Sequence, residues 1–233
     1  MLAFESVVQR FGERTVLDGL SFTVPTGERG ALVGPSGAGK TTLFRLTYGA
    51  FAPTSGRVLV DGEEPGALGG AALRALRSKI AVIFQSHGLI DQLSAGANVR
   101  AGTFGRRSTW AAVRTVAAPR ADELEESRAA LAHVGLADRL RDRVFELSGG
   151  QRQRVAVARA IVQHASLVLA DEPAASLDPE RGREVVELLL RDARERGATL
   201  ICTLHQFELT AGFDRVITLQ DGRIAPPREA ILR

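Results

Sequence analysis

The stretch Gly34-Pro-Ser-Gly-Ala-Gly-Lys40-Thr41 constrains this chain of 233 residues more than any other feature. It has the spacing G-x-x-x-x-G-K-[ST], follows the strand-like run Gly30–Val33 and precedes the helical pattern Thr41–Leu46. Glycines let backbone N–H groups close around phosphate oxygens with no Cβ in the way. A helix that starts there adds a partial positive charge. Lys40 then reaches the β- and γ-phosphates, and the Thr41 hydroxyl suits Mg²⁺. The plain alternative is a glycine-rich turn that caps a helix. Average residue frequencies place this pattern by chance in only about 1% of chains of this length. Lysine usage sharpens the point: of 30 basic residues only Lys40 and Lys79 are lysine, so an arginine-using chain keeps a compact ammonium here.

The rest of the chain supplies a frame for such a loop. Ala3–Gln9, Leu20–Val24, Gly56–Val60 and Ile80–Phe84 read as strands, whereas Ala121–His133 and Arg152–Gln163 read as helices. Toward the end come strand Leu167–Ala170, helix Pro179–Arg196, and strands Thr199–Leu204 and Arg215–Gln220. Strands alternating with helices predict a mostly parallel sheet covered on both faces. The middle reads as a helical insert, with Gly102–Pro119 irregular and arginine-rich. The composition, 45% hydrophobic and 24% charged, is that of a soluble globular domain. No apolar run approaches the roughly 18 residues of a membrane span, and Met1–Arg10 lacks a signal-peptide layout, so a cytoplasmic protein is expected. The single cysteine, Cys202, sits mid-strand and reads as a small core residue. Net charge is +3 with no basic block, so nucleic acid is not an expected partner.

Two further segments carry chemistry. Leu167-Val-Leu-Ala-Asp171-Glu172 is a strand that ends in two carboxylates. Beside a phosphate loop, Asp171 suits the metal shell and Glu172 suits polarising water; standing alone, such an end is as readily a solvated strand terminus. In Leu147-Ser-Gly-Gly-Gln151, Ser148 and Gln151 fit a capping box. A cap does not explain Gly149 and Gly150 in the first turn, where each costs up to about 1 kcal/mol against alanine. Close approach of a phosphate or another backbone does.

Together these three motifs resemble the ABC ATPases, over Leu2 to about Arg223. The resemblance implies an α/β fold: a P-loop (RecA-like) nucleotide-binding domain with an N-terminal antiparallel β subdomain and an inserted helical subdomain. Residues 1–86 and 160–233 would form the core of a single domain, and 87–159 the helical part. ATP and Mg²⁺ are the implied ligands. The nucleotide would lie on Gly34, Pro35, Ser36, Gly37, Ala38, Gly39, Lys40, Thr41 and Thr42. Phe11 resembles the family's adenine-stacking aromatic, with phenylalanine where tyrosine is usual. Gln85 resembles the glutamine that touches metal and water, and His205 the histidine that contacts γ-phosphate. Asp178 lies in the loop that crosses to a partner. Thr41, Gln85 and Asp171 would serve the metal; Lys40, Gln85, Glu172 and His205 the reaction. Ser148, Gly149, Gly150 and Gln151 of a second copy would complete the site in an ATP-bridged homodimer. The implied setting is the cytoplasmic side of the cell membrane, on permease subunits, with a periplasmic or extracellular solute-binding protein as an indirect partner.

Within the family the chain is most similar to ATPases that import phosphonate or phosphite. The similarity lies in Phe84-Gln85, Leu89-Ile90, Leu93-Ser94, Asn98-Val99, Ala101-Gly102, Ala170–Pro179 and Leu204-His-Gln206. It departs at His87-Gly88 and in the arginine-rich Gly105–Arg120, a region expected to face the permease. Other ABC systems, for lipoprotein release, efflux or other solutes, are the rival reading. A soluble ABC ATPase acting on nucleic acid is disfavoured by the short insert and single cassette, and a non-hydrolysing module by Glu172 and His205.

Overall fold

Strand β6 (Leu167–Asp171) is buried at every residue, as is β7 (Thr199–Leu204), which marks them as central strands of a sheet covered on both faces. The computed structural model describes residues 1–225 apart from Ser176, which falls within the run Ala170–Pro179, and apart from the Thr109 side chain. Its larger sheet has the order β5 (Ile80–Ile83), β6, β7, β3 (Arg29–Val33), β8 (Arg215–Gln220), β9 (Arg223–Ile224). All pairings are parallel except that of β8 with β9. A second, antiparallel sheet has the order β2 (Arg14–Val24), β1 (Leu2–Phe11), β4 (Ser55–Val60).

Strand alternation splits the core in two. Leu32, Leu169, Ile201 and Ile217 face the antiparallel sheet, packing with Leu2, Phe4, Val7 and Phe44. Ala31, Val33, Val168, Ala170, Leu200 and Cys202 face the other way, onto α6 (Gly149–Val162) and α7 (Pro179–Arg196). Cys202 is fully buried there, and burial raises its thiol pKa far above the ordinary range, so it is a small apolar residue of the core. The same core runs on without a break into the helical insert through Ala95, Val99, Leu131 and Val155. Among the described residues no helix is long and apolar enough to cross a membrane.

The helices α5 (Ala121–His133) and α7, and strands β7 and β8, have the expected bounds. Three expectations need correction. Helix α6 begins at Gly149, not Arg152, because the Ser148–Gln151 capping box lets the glycines enter the first turn. Helices α2 (Gly70–Ser78) and α3 (Ala95–Ala101) were not foreseen. The stretch expected to be irregular contains a short 3-10 turn, Phe104–Arg106, and helix α4 (Thr109–Ala117), N-capped by Ser108.

The arginines of that stretch also turn inward. Glu123, 3% exposed, accepts from Arg107 Nη1 at 2.8 Å, from Arg114 Nη2 at 2.6 Å and from the Thr115 hydroxyl at 3.1 Å. Its other oxygen accepts from the Arg120 amide at 2.8 Å, closing the N-terminus of α5. The Arg114 guanidinium is the largest influence holding its pKa down, to about 2. This carboxylate ties α4, the segment before it and α5 into one unit.

A depressed native pKa contributes stability that is full above the ordinary carboxylate value and is lost as pH falls toward about 2. Glu123→Gln is therefore expected to cost about 2–3 kcal/mol at neutral pH, since charged hydrogen bonds are lost and partly buried arginines stay behind. The gap from wild type should narrow between pH about 4.5 and about 2. Urea melts of both proteins across that range check it; a gap independent of pH would mean the charge is not what stabilises.

Candidate functional site

Parallel strands carry their C-terminal ends to one edge of the sheet, and ligands of such folds bind beyond that edge. Here β3 leads into the glycine-rich loop, β5 into Gln85, β6 ends on Asp171 and leads into Glu172, and β7 leads into His205. Because β5, β6, β7 and β3 are consecutive in the sheet, all four segments leave the same edge side by side.

The loop needs its glycines for local reasons. Gly39, at φ +107°, caps α1 (Lys40–Thr47), and a Cβ there would lie 2.7 Å from Leu17 Cδ2. A Cβ at Gly34 would overlap the Leu219 carbonyl. Lys40 is 4% exposed; its Nζ donates to the carbonyls of Gly34 at 2.8 Å and Pro35 at 3.2 Å, and stands 3.8 Å from Glu172 Oε1. Burial is the main influence on Lys40 and lowers its pKa, while Glu172 and Asp171 oppose this. The ammonium thus sits against carbonyls of its own loop, with two carboxylates as its charge partners.

Asp171 is held at both oxygens. Oδ2 accepts from the Thr41 hydroxyl at 3.0 Å and Oδ1 from the Thr203 hydroxyl at 2.9 Å. The Glu172 amide donates to Thr203 Oγ1 at 2.8 Å. Glu172 adopts φ +52°, a left-handed conformation uncommon outside glycine, and its Oε1 lies 2.5 Å from His205 Nε2. Thr203 is the functional-site residue that sequence reading missed. The available signal was a hydroxyl near the C-terminal end of an apolar strand, two residues before His205.

A cleft of about 410 Å³, within the range of small-molecule sites, opens over this edge. Phe11, Ser36, Gly37, Gly39, Lys40, Thr41, Thr42, Gln85 and Glu172 line it, joined by Arg14 and Val16, which were not foreseen. Phe11 is half exposed and packs at right angles to Phe51, with ring centroids 5.6 Å apart, so part of its ring is open to a flat ligand. His205 borders an adjoining cleft of about 160 Å³ that shares Glu172. The oxygen donors of Thr41, Asp171 and Gln85, with no nitrogen or sulfur among them, fit Mg²⁺, which takes few protein ligands and completes its shell from phosphates and water.

Ser148, Gly149, Gly150, Gln151 and Asp178 do not line that cleft. Ser148 Oγ accepts from the Gln151 amide at 3.3 Å, and Gln151 Oε1 from the Ser148 amide at 2.9 Å. Asp178 caps α7 by accepting from the Arg181 amide at 3.1 Å. Gly150 is close-packed, since a Cβ would meet Leu177 Cδ2 at 3.3 Å; a Cβ on Gly149 would meet nothing within 4 Å.

Known proteins resemble this chain in sequence and in fold. A family model described as ABC transporter matches residues 17–175. The chain is 45% identical to a phosphonates import ATP-binding protein of Frankia casuarinae, across 97% of this chain and 89% of that one. It is 44% identical to the Nocardia farcinica protein of the same name, across 96% and 83%. Among solved structures, a dimeric ATP-binding cassette in a post-hydrolysis state bound to ADP and Pi superposes with a TM-score of 0.85 at 29% identity, each chain covered to 97%. A bacterial Atm1-family ABC exporter with ATP bound gives 0.78 at 29% identity, across 97% of this chain and 38% of that one. With a phosphate loop, paired strand-end carboxylates and relatives matched along nearly its whole length, this chain belongs to the ABC transporter family.

Proposed function

We propose that this chain is the ATP-hydrolysing motor of an importer for phosphonates, phosphite or a related small anion. The observation that carries the motor reading is the bonded series Thr41–Asp171–Thr203–Glu172, with His205 and Lys40 against its last carboxylate. The imported solute rests on the phosphonates import ATP-binding proteins, which are more similar in sequence than the exporter cassette is.

In this reading the ATP adenine stacks on Phe11, and the phosphates lie along Gly34–Thr42. Phosphate oxygens replace the Gly34 and Pro35 carbonyls as acceptors for Lys40, which exchanges neutral partners for charged ones. Thr41, Asp171 and Gln85 would hold Mg²⁺, which would supply positive charge to the phosphates. Glu172 orients a water in line with the γ-phosphoryl group and takes its proton as the bond to the ADP oxygen breaks. His205, already on Glu172 Oε1, holds that carboxylate in place and reaches the γ-phosphate.

Ser148, Gly149, Gly150 and Gln151 act on the nucleotide of a second copy, and Asp178 stands at the crossing point. The open space at Gly149 supports this, because among the described residues nothing lies where a side chain there would go. Two chains then sandwich ATP, and hydrolysis releases them. Residues 1–86 and 160–233 form the nucleotide-binding core, and 87–159 pass the motion to permease subunits at the cytoplasmic face of the membrane. A solute-binding protein delivers the anion from the far side.

Three outcomes test this. Lys40→Arg should abolish ATPase activity although charge is kept, because a planar fork does not fit a buried site built for a point charge. Steady-state hydrolysis within a fewfold of wild type would mean that the ammonium is not required.

Glu172→Gln should lower hydrolysis about 10²-fold or more while ATP still binds. The variant should accumulate as an ATP-bound dimer, and adding Ser148→Arg should dissolve it. Size-exclusion chromatography with light scattering at high protein concentration reads both. A hydrolysis-dead variant that stays monomeric in ATP argues against the two-chain site.

Loss of the protein from its host should block growth on a phosphonate or phosphite as sole phosphorus source and spare growth on phosphate. Normal growth on a range of such anions would remove the solute assignment and leave the motor untouched.

A further inference from the structure

We infer that Thr203 is the positioning residue that sets the geometry of Glu172 for water activation, an inference that rests on the proposed role of Glu172. In-register pairing of β6 with β7 places Thr203 beside Asp171. Thr203 is fully buried, so its hydroxyl has no water to fall back on. That single group is used twice. An ionised carboxylate can only accept, so the hydroxyl proton points to Asp171 Oδ1 at 2.9 Å. The oxygen lone pairs are left to receive the Glu172 amide at 2.8 Å. The polarity of the relay, from the Glu172 N–H through the Thr203 O–H to Asp171, is therefore fixed.

The consequence falls on Glu172. Asp171 is the last residue of β6, and Glu172 stands outside the ladder at φ +52°. A non-glycine residue keeps that conformation only where its surroundings enforce it. The Thr203 oxygen is the acceptor that holds the Glu172 amide, and so fixes the direction in which the Glu172 carboxylate leaves the strand. From there Oε1 reaches His205 Nε2 at 2.5 Å and Lys40 Nζ at 3.8 Å. Threonine suits this position because a β-branched side chain has few χ1 options and is at home in a strand. Its hydroxyl is tied at both ends and transfers no proton in the reaction. Asp171 keeps a second tie, to Thr41 on the loop, when Thr203 is changed. Among the described residues the Glu172 amide has no acceptor besides Thr203, so Glu172 takes most of the loss.

Thr203→Ser removes the methyl and keeps the hydroxyl, Thr203→Ala removes both, and Thr203→Val keeps the volume and removes the hydroxyl alone, so the series separates loss of the hydroxyl from loss of volume. ATPase assays are expected to show kcat within about threefold of wild type for Thr203→Ser. Thr203→Ala and Thr203→Val should be about 10–100-fold slower, the scale of a mispositioned catalytic group. KM for ATP should stay within about threefold throughout, because the binding loop is untouched. In a Glu172→Gln background, Thr203→Val should slow residual hydrolysis less than threefold, since the group it positions is gone. Equal kcat for the Ser and Ala variants would overturn the inference, as would a full-sized effect of Thr203→Val in the Glu172→Gln background. If Glu172→Gln alone hydrolyses ATP normally, the reading of Glu172 fails instead, which is a separate result. If Thr203→Val does not fold, the Ser and Ala pair still decides.

Discussion

The adjacency of β6, β7 and β3 in a parallel sheet sets the terms for the rest of the molecule. Parallel pairing brings Val33, Asp171 and Leu204 to one edge, so the chain leaves the sheet three times within a small area. Each exit delivers a different chemical group: a backbone cradle with Lys40, two carboxylates, and a histidine. Such strands require apolar cover on both faces. That requirement explains the near-continuous aliphatic runs of β6 and β7 and the two cores, one under the antiparallel sheet and one under the helices. The helical insert shares the second core, so any shift of α3 or α6 is felt by side chains on the strands that carry the site.

Charge is balanced inside this edge. Lys40 is nearly excluded from water, and isolation would favour its neutral form. Glu172 and Asp171 favour its charged form, and the carbonyls of Gly34 and Pro35 accept two of its three protons. The helical insert contains a second such balance, with the sign reversed. Glu123 is a buried anion among Arg107, Arg114 and the amide that opens α5. In both places a buried charge joins segments that are distant or irregular in sequence, and this is where the chain places its scarce lysine and its abundant arginine.

Legibility in the sequence followed from how local the cause was. The phosphate loop could be read because its glycines and lysine are fixed by spacing alone. Helix α7 could be read because Asp178 and Pro179 start it and Gly197, at φ +62°, stops it. Helices α3 and α4 were missed because they are short and are held by tertiary partners: Glu123 gathers Arg107 and Arg114, and Asn98 ties α3 to Ile90. Arginines spread along Gly105–Arg120 look like a solvated stretch until the carboxylate they share is seen. Thr203 was missed for the same reason. A threonine in a strand is unremarked by propensity, and only the register with Asp171 reveals what its hydroxyl meets.

The two glycines after Ser148 show how a physical cost can point outside the chain. The cap itself is complete: Ser148 and Gln151 satisfy each other's amides, so glycine is not needed to start α6. Gly150 has an internal reason, since Leu177 would crowd any side chain there. Gly149 has none, and at a helix start it forgoes up to about 1 kcal/mol that alanine would supply. A residue that weakens its own helix and leaves open space is explained if something must come close to the backbone at that point. The amides at the start of a 14-residue helix, with the helix dipole behind them, suit a phosphate. The chain's own cleft does not include these residues, which agrees with the proposal that they act on a phosphate carried by another molecule. In the proposed two-chain arrangement, a second copy carrying ATP on Gly34–Thr42 would bring that phosphate with no additional component.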